Sequence, residues 1–126
     1  MIKSKESEEM YLETILRLST KKSCVHSIDV AAELGYSKPS VSRAVGLLKN
    51  KDYITVAADG EIKLTPSGKA KANAVFERHK ALTSALMYVG LDEKEAEENA
   101  CRIEHVITDK AFEAIKAFVS KEKAKN

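Results

Sequence analysis

The sequence has no apolar run close to the roughly 18 residues that a membrane-spanning helix needs. Its first residues, MIKSKESEEM, are polar and do not resemble a secretion signal. Only two cysteines occur, Cys24 and Cys101, and they are far apart in the sequence. This scarcity argues against a disulfide scaffold and is expected of a reducing compartment. We therefore expect a cytoplasmic protein.

Features of known enzyme classes are also missing. The chain has no glycine-rich phosphate loop, and no Ser-His-Asp or paired-carboxylate arrangement in a recognisable context. We therefore expect a protein that is not an enzyme. The 21 basic and 19 acidic side chains give a net charge of +2, which neither requires nor excludes a nucleic-acid partner. The distribution of charge along the chain must decide that question.

Hydrophobic spacing and turn residues predict six helices and one hairpin. The predicted elements are helices at residues 7–20 and 27–34, a helix opened by Ser37, strands at 53–56 and 61–64, a helix at 65–89 and two helices starting at Asp92 and Thr108. The fold class is therefore mainly α. A winged helix-turn-helix at residues 1–64 is expected to precede a unit of three helices at residues 65–126.

The helix-turn-helix prediction depends on spacing. Ala31 is small where two helices would cross, Gly35 permits a left-handed turn, and Val41 would pack the next helix back. In the first of these helices we expect Ser27 to act as the N-cap, with Ile28, Ala31 and Ala32 facing inward. Asp59-Gly60 between the strands is a hairpin signal, which makes the hairpin a candidate wing.

The outer face of the second of these helices carries the candidate DNA-binding residues. Hydroxyl, guanidinium and ammonium groups suit phosphates and base edges in the major groove. Arg43 is the candidate for base readout. Lys49 and Lys51 at the end of the helix, and Lys63 in the hairpin, are candidates for phosphate contacts. The alternative is that these are ordinary solvated side chains. The complete set is Ser37, Lys38, Pro39, Ser40, Ser42, Arg43, Lys49, Lys51 and Lys63.

Three potential metal ligands follow one another near the end of the chain. On a helix, Cys101, Glu104 and His105 would stand at i, i+3 and i+4 on one face. Divalent transition metals accept sulfur, oxygen and nitrogen donors together. Met10 and His79 on other helices are further candidates, although each taken alone fits ordinary core packing.

Several segments together carry a resemblance to the diphtheria toxin repressor family of iron- and manganese-dependent regulators. These segments are Ser7 to Ile15, Tyr36 to Ser42, Leu64 to Gly68, Arg78-His79 and Ala100 to His105. The resemblance covers nearly the whole chain in order. It implies a dimeric winged-helix repressor that binds operator DNA and dimerises through its C-terminal helices. It also implies a short member of the family, without the SH3-like domain of the larger ones.

The resemblance also implies which residues bind metal. The primary site falls on Met10, Cys101, Glu104 and His105, as in iron-type members, and thioether and thiolate ligands suit softer metals than manganese. We therefore expect Fe(II) first and Mn(II) second. Glu13 stands where manganese-type members carry an acidic ligand, so a mixed preference remains open.

A second, ancillary metal site is implied less completely. His79 matches it, and Glu97 could coordinate in place of a histidine. Thr83 stands where the family has an acidic ligand and cannot replace a carboxylate. This second site is therefore expected to be missing or rearranged.

The sequence thus predicts a metal-dependent transcriptional regulator, which would usually act as a repressor, that binds double-stranded operator DNA as a homodimer. No organic cofactor and no membrane partner are expected. The alternative is a metal-independent winged-helix regulator that responds to a small molecule or to thiol oxidation at Cys101. A dimer module without DNA binding and a hydrolytic metal site are further alternatives.

Overall fold

The computed structural model describes residues 4–125, with six helices and two strands in that range. Residues 1–3 and 126, which the predicted domain ranges include, lie outside the described residues. The elements are α1 Ser4–Lys21, α2 Ser27–Leu34, α3 Lys38–Asn50, β1 Ile54–Val56, β2 Ile62–Leu64, α4 Pro66–Tyr88, α5 Glu93–Ile103 and α6 Asp109–Ala124. The predicted mainly α fold class, a winged helix-turn-helix followed by three helices, is confirmed.

The chain divides into two compact units, one ending at Asn73 and the other beginning at Ala74. The first unit contains α1, α2, α3, the hairpin and the beginning of α4. The second contains the rest of α4 with α5 and α6. No helix among residues 4–125 combines the length and apolar character needed to cross a bilayer.

Helix α2 begins and ends where the sequence predicts, but its cap and its inner face differ. His26 precedes the helix, and its backbone N–H donates to the Asp29 carboxylate over 2.8 Å, so Ser27 is the first helical residue and not the cap. Val30 and Ala31 are buried, whereas Ile28 is 58% exposed. Ala32 is also exposed. Ala31 is therefore buried as expected, but Ile28 and Ala32 are not, because the stripe facing the core is rotated by about a quarter of a turn toward Val30.

Gly35 ends α2, and the chain continues into α3. Its φ of 71° is the left-handed conformation that glycine adopts without strain. Ser37 then caps α3, because its hydroxyl accepts the Ser40 N–H over 3.3 Å. Val41 and Val45 in α3 are buried in the core of the first unit. The predicted inward packing of Val41 is confirmed.

The hairpin is one residue shorter on each strand than predicted. Strands β1 and β2 pair antiparallel, with Thr55 opposite Lys63. The turn is closed by the Ala57 N–H, which donates to the Glu61 carbonyl over 2.9 Å, and Gly60 has a φ of 90°. The Ile62 N–H donates to the Val25 carbonyl over 2.7 Å, which ties β2 to the loop before α2.

In the second unit, the helices begin at the predicted caps. The hydroxyl of Thr108 accepts the Ala111 N–H, and Asp92 accepts the Glu95 N–H. The core forms around one residue from each helix: Leu82, Ala100 and Phe112. Val89, the last residue of the helix predicted at 65–89, follows the end of α4 at Tyr88 and is 74% exposed.

Helix α4 starts against the backbone of Tyr53, just before β1. The Thr65 hydroxyl accepts the Gly68 N–H over 3.1 Å, and the Thr65 N–H donates to the Tyr53 carbonyl over 3.0 Å. A Cβ placed on Gly68 would lie 1.9 Å from the Tyr53 carbonyl oxygen. Only glycine allows this approach of helix to backbone without a shift of one of them.

Gly68→Ala is therefore expected to lower the free energy of unfolding by about 3 kcal/mol, as other overpacking substitutions do. Gly46→Ala is the matched control, since a Cβ on Gly46 in α3 meets nothing within 4 Å. It should raise stability by about 0.5 to 1 kcal/mol through helix propensity. Urea denaturation followed by circular dichroism measures both variants. Equal stability of the two would contradict the close approach at Gly68.

Candidate metal centre and DNA-binding surface

The most unusual side chain of the second unit is the carboxylate of Glu104. It follows directly after α5, and its N–H still donates to the Ala100 carbonyl over 2.9 Å. The last helical turn therefore directs the side chain inward, and its exposed fraction is 0%. A buried carboxylate is stable only with hydrogen-bond donors or positive charge beside it.

Two histidines provide the nearest nitrogen atoms to this carboxylate. His79 on α4 places Nδ1 2.6 Å from Glu104 Oε2. His105, the next residue in the chain, places Nε2 3.1 Å from Glu104 Oε1. Both imidazoles are largely buried, with 12% and 9% of their side chains exposed. We call these three residues the Glu104 cluster.

The Glu104 cluster has the donor chemistry of a transition-metal site. Imidazole nitrogen and carboxylate oxygen are ligands for Fe(II), Mn(II) and Zn(II). A divalent cation would also offset the negative charge of the carboxylate. Both imidazoles would bind the cation in their neutral form. The three side chains therefore fit the metal that the sequence predicts.

Arg78 holds the turn that presents this cluster. Its Nη1 donates to the Glu104 carbonyl oxygen over 3.0 Å, and its Nη2 donates to the Asp109 carboxylate over 2.7 Å. The guanidinium lies 5.4 Å from the centre of the Phe112 ring. One side chain thus fixes the end of α5, the start of α6 and the core between them. Sequence reasoning assigned Arg78 no role, although it lies beside His79.

The predicted arrangement of Cys101 differs from the structure. Helix α5 ends at Ile103, so His105 lies in the turn after the helix and not on its face. Cys101 is exposed on the last turn of α5, whereas Glu104 is buried. The prediction of three ligands on one helical face was therefore wrong, because the helix ends before the last of them.

The proposed ancillary ligands surround a cavity of about 500 Å³. His79, Thr83 and Glu97 all line it. The Thr83 hydroxyl donates to the His79 carbonyl over 2.8 Å, so this side chain stabilises α4 and brings no carboxylate to the cavity. Glu97 is exposed. His79 is oriented toward Glu104, as its 2.6 Å contact shows.

The remaining candidate ligands lie on α1 in the first unit. The sulfur of Met10 accepts a hydrogen bond from the Tyr36 hydroxyl over 3.7 Å. The Glu13 carboxylate is buried and accepts from Arg17 over 3.0 Å. Their spacing of three residues puts Met10 and Glu13 on adjacent turns of one helix. Their metal role stays a prediction.

The candidate DNA-binding residues cover the solvent side of α3 and the hairpin. Ser40 is partly buried and the other eight are exposed. Within this set, Ser37 donates to the Ser40 hydroxyl oxygen over 2.9 Å, and Arg43 Nη2 lies 3.4 Å from the same oxygen. These side chains form a connected row along the start of the helix.

Lys51 differs from the other basic residues of this surface. Its ammonium group lies 3.3 Å from the Glu8 carboxylate of α1, which also lies 3.4 Å from Lys71. Although burial works in the other direction, the negative charge of Glu8 raises the pKa of Lys71 above its ordinary value. Sequence reasoning missed this cluster because Glu8 and Lys51 are 43 residues apart.

Comparison with known proteins agrees with this architecture. Residues 4–62 match the family profile of the iron dependent repressor N-terminal DNA binding domain. Residues 65–124 match the profile of the iron dependent repressor metal binding and dimerisation domain. The chain belongs to the iron-dependent repressor family. The matches to this family follow one another in the order that the sequence predicts.

Individual relatives differ in length. The chain is 33% identical over 105 residues to the diphtheria toxin repressor of Corynebacterium diphtheriae, which covers 82% of this chain and 46% of that protein. It thus spans about half the length of this relative. It is 31% identical over 122 residues to an uncharacterized HTH-type transcriptional regulator of Methanocaldococcus jannaschii, covering 95% and 98% of the two chains.

Solved structures of the family share the fold. The structure of the manganese regulator SloR superposes with a TM-score of 0.77 at 25% identity, covering 90% of this chain and 53% of the other. The family consists of transcriptional repressors and is not an enzyme class.

The role of Arg78 can be tested in the metal-free protein. Arg78→Ala leaves the Glu104 carbonyl without its charged donor, and we expect it to lower the free energy of unfolding by about 1 to 2 kcal/mol. Arg102→Ala, at an exposed position on α5, is the matched control and should change stability by less than about 0.5 kcal/mol. Thermal and urea unfolding measure both. If the two variants lose the same stability, Arg78 does not hold the turn.

Proposed function

We propose that this chain is a metal-dependent transcriptional regulator that binds operator DNA as a homodimer and acts as a repressor in the cytoplasm. The observation that carries the proposal is the Glu104 cluster, a fully buried carboxylate between two imidazoles. It occurs in a chain whose other unit is a winged helix-turn-helix. Such a cluster serves no evident purpose in DNA binding itself, but it is suited to sensing a divalent cation.

The effector is Fe(II) in the first place and Mn(II) in the second. His79, Glu104 and His105 are the ligands that the contacts support. Cys101 and Met10 complete the set by resemblance, and their sulfur atoms favour Fe(II) over Mn(II).

Two carboxylates among the proposed ligands favour Mn(II), in contrast to the two sulfur atoms. Glu13 and Glu97 provide oxygen donors. When bound, the cation supplies positive charge to the buried carboxylate and holds its ligands together.

Regulation follows from thermodynamic linkage. The proposed ligands belong to both compact units, since Met10 and Glu13 lie in the first and the Glu104 cluster in the second. Binding one cation with ligands from both units favours those arrangements of the chain that bring the ligands together. If the same arrangements space two recognition helices by about 34 Å, one turn of DNA, then metal and DNA strengthen each other's binding reciprocally.

The homodimer is proposed to use α4 and α6. These helices form an almost entirely apolar groove of about 380 Å³, lined by Leu86, Val89, Ile115 and Phe118 among others. Phe118 is 56% exposed. Large apolar side chains exposed together mark an interaction surface, and the matched family profile of this region is described as a dimerisation domain. A second copy of the chain is the occupant we propose.

The exposed thiol of Cys101 supports one alternative function, a metal-independent regulator that responds to thiol oxidation. An accessible cysteine at the end of α5 could respond to oxidants without any metal. In that case the Glu104 cluster would be a structural hydrogen-bond network. The two functions differ in whether DNA binding requires a cation.

The test is binding of the protein to the DNA upstream of its own gene, at fixed salt and without oxygen. We expect Fe(II) or Mn(II) to raise the affinity about 5- to 150-fold over protein with chelator, the usual range of coupling between two sites. Fluorescence anisotropy of labelled duplex DNA measures it. Equal affinity with metal and with chelator would reject the metal-dependent function.

A matched pair of cysteine variants examines the proposed ligand Cys101. Cys101→Ala should reduce the effect of metal on DNA affinity while leaving stability nearly unchanged. Cys24→Ala, which removes an exposed thiol in the loop after α1, should preserve the metal effect. If both variants respond to metal like the wild type, Cys101 is not a ligand.

Phosphate contacts are expected to show in the salt dependence of DNA binding. Lys49→Ala should lower the slope of log affinity against log salt by about 1, because one released counterion is lost. Lys51→Ala should lower it less, since Glu8 already pairs with Lys51 at 3.3 Å. Titrations at several salt concentrations measure the slopes. A larger decrease for Lys51→Ala would show that Glu8 releases this lysine to DNA.

A further inference from the structure

Arg43 is the one guanidinium on the exposed side of α3. The remaining basic side chains of this helix are Lys38 and Lys49, near its two ends. Arginine presents a planar fork of N–H donors, whereas lysine presents a compact charge. The fork matches two adjacent acceptors on a base edge with two parallel N–H donors, which a single ammonium group does less well.

The Ser40 hydroxyl oxygen connects Arg43 to the start of the helix. It accepts the Ser37 O–H over 2.9 Å, and Arg43 Nη2 lies 3.4 Å from it. The two lone pairs of this oxygen thus receive two donors. Ser37 is itself fixed, because its hydroxyl caps α3 by accepting the Ser40 N–H. Arg43 is therefore held by a row of side chains anchored to the backbone.

We propose that Arg43 reads a guanine in each operator half-site through its O6 and N7 atoms, and that Ser40 is a positioning residue for this contact. The inference rests on the proposed function, since it requires operator binding. Among the four bases, guanine alone offers two adjacent acceptors in the major groove, which suit the arginine fork. The Ser40 contact reduces the rotamer freedom that a long side chain loses on binding.

Other assignments for Arg43 lead to different sequence preferences. Adenine presents one acceptor and one donor in the major groove, and a glutamine or asparagine matches that pair. A phosphate contact would make Arg43 important for affinity and irrelevant for sequence preference. The proposal therefore concerns the preference for guanine over other bases at one position of the DNA site, which can be measured apart from the overall affinity.

The experiment selects duplexes from a random DNA pool with the full chain loaded with Mn(II), followed by sequencing. The wild type should enrich symmetric half-sites with a guanine at one fixed position. Replacing that guanine by adenine should weaken binding about 5- to 150-fold, the usual worth of one bidentate contact. Arg43→Gln should shift the preference toward adenine, and Arg43→Lys should retain guanine with lower affinity.

Two variants separate positioning from general effects. Ser40→Ala should lower the ratio of affinities for guanine and adenine sites while both sites still bind. A merely structural role would weaken both sites equally. Lys49→Gln is the control, and it should weaken all sequences alike because it removes a charge near the backbone. Its preference for guanine should equal that of the wild type.

The outcomes distinguish this inference from the proposed function. If the wild type with Mn(II) enriches no sequence, operator binding itself is rejected. If it enriches a site and Arg43→Gln prefers the same bases, Arg43 does not read a base. If Arg43→Gln changes the preference but Ser40→Ala keeps the full ratio, Arg43 reads without the help of Ser40, and that part of the proposal is overturned.

Discussion

Burial of the Glu104 carboxylate is the constraint on which the second unit depends. A charge removed from water requires hydrogen-bond donors or cations beside it, and the fold places two imidazoles there, one from α4 and one from the turn after α5. His79 comes from α4, His105 from the turn after α5, and Arg78 fixes the backbone of that turn. Buried polar groups lower stability unless each has a hydrogen-bond or ionic partner. The Glu104 cluster is therefore suited to respond to a bound cation.

Local signals in the sequence predicted the elements because capping and turn chemistry act within a few residues. Gly35, Ser37 and Asp92 mark helix ends where the structure has them. The inner face of α2 was less predictable, because Ile28 is as apolar as Val30 and both could face a core. Which of them does so depends on packing against α1 and α3, and that information is spread over distant residues.

The candidate site was predictable in composition but not in arrangement. The residues Glu104 and His105 stood out by their spacing, yet the contact between His79 and Glu104 joins positions 25 residues apart. No periodic pattern within α4 or α5 contains it. The end of α5 was equally hard to predict, because Arg78 holds the turn that follows it and no glycine or proline marks it. Long-range polar contacts of this kind leave little trace in a single sequence.

The distribution of charge makes the proposed DNA binding compatible with a net charge of +2. Helix α3 carries basic residues and no acidic one, whereas α5 contains four glutamates. The field near the recognition helix is therefore more positive than the total charge indicates. Glu8 weakens it locally by pairing with Lys51 and Lys71. A moderate field limits binding to random DNA, so the proposed regulator would depend on base contacts and on metal linkage for discrimination.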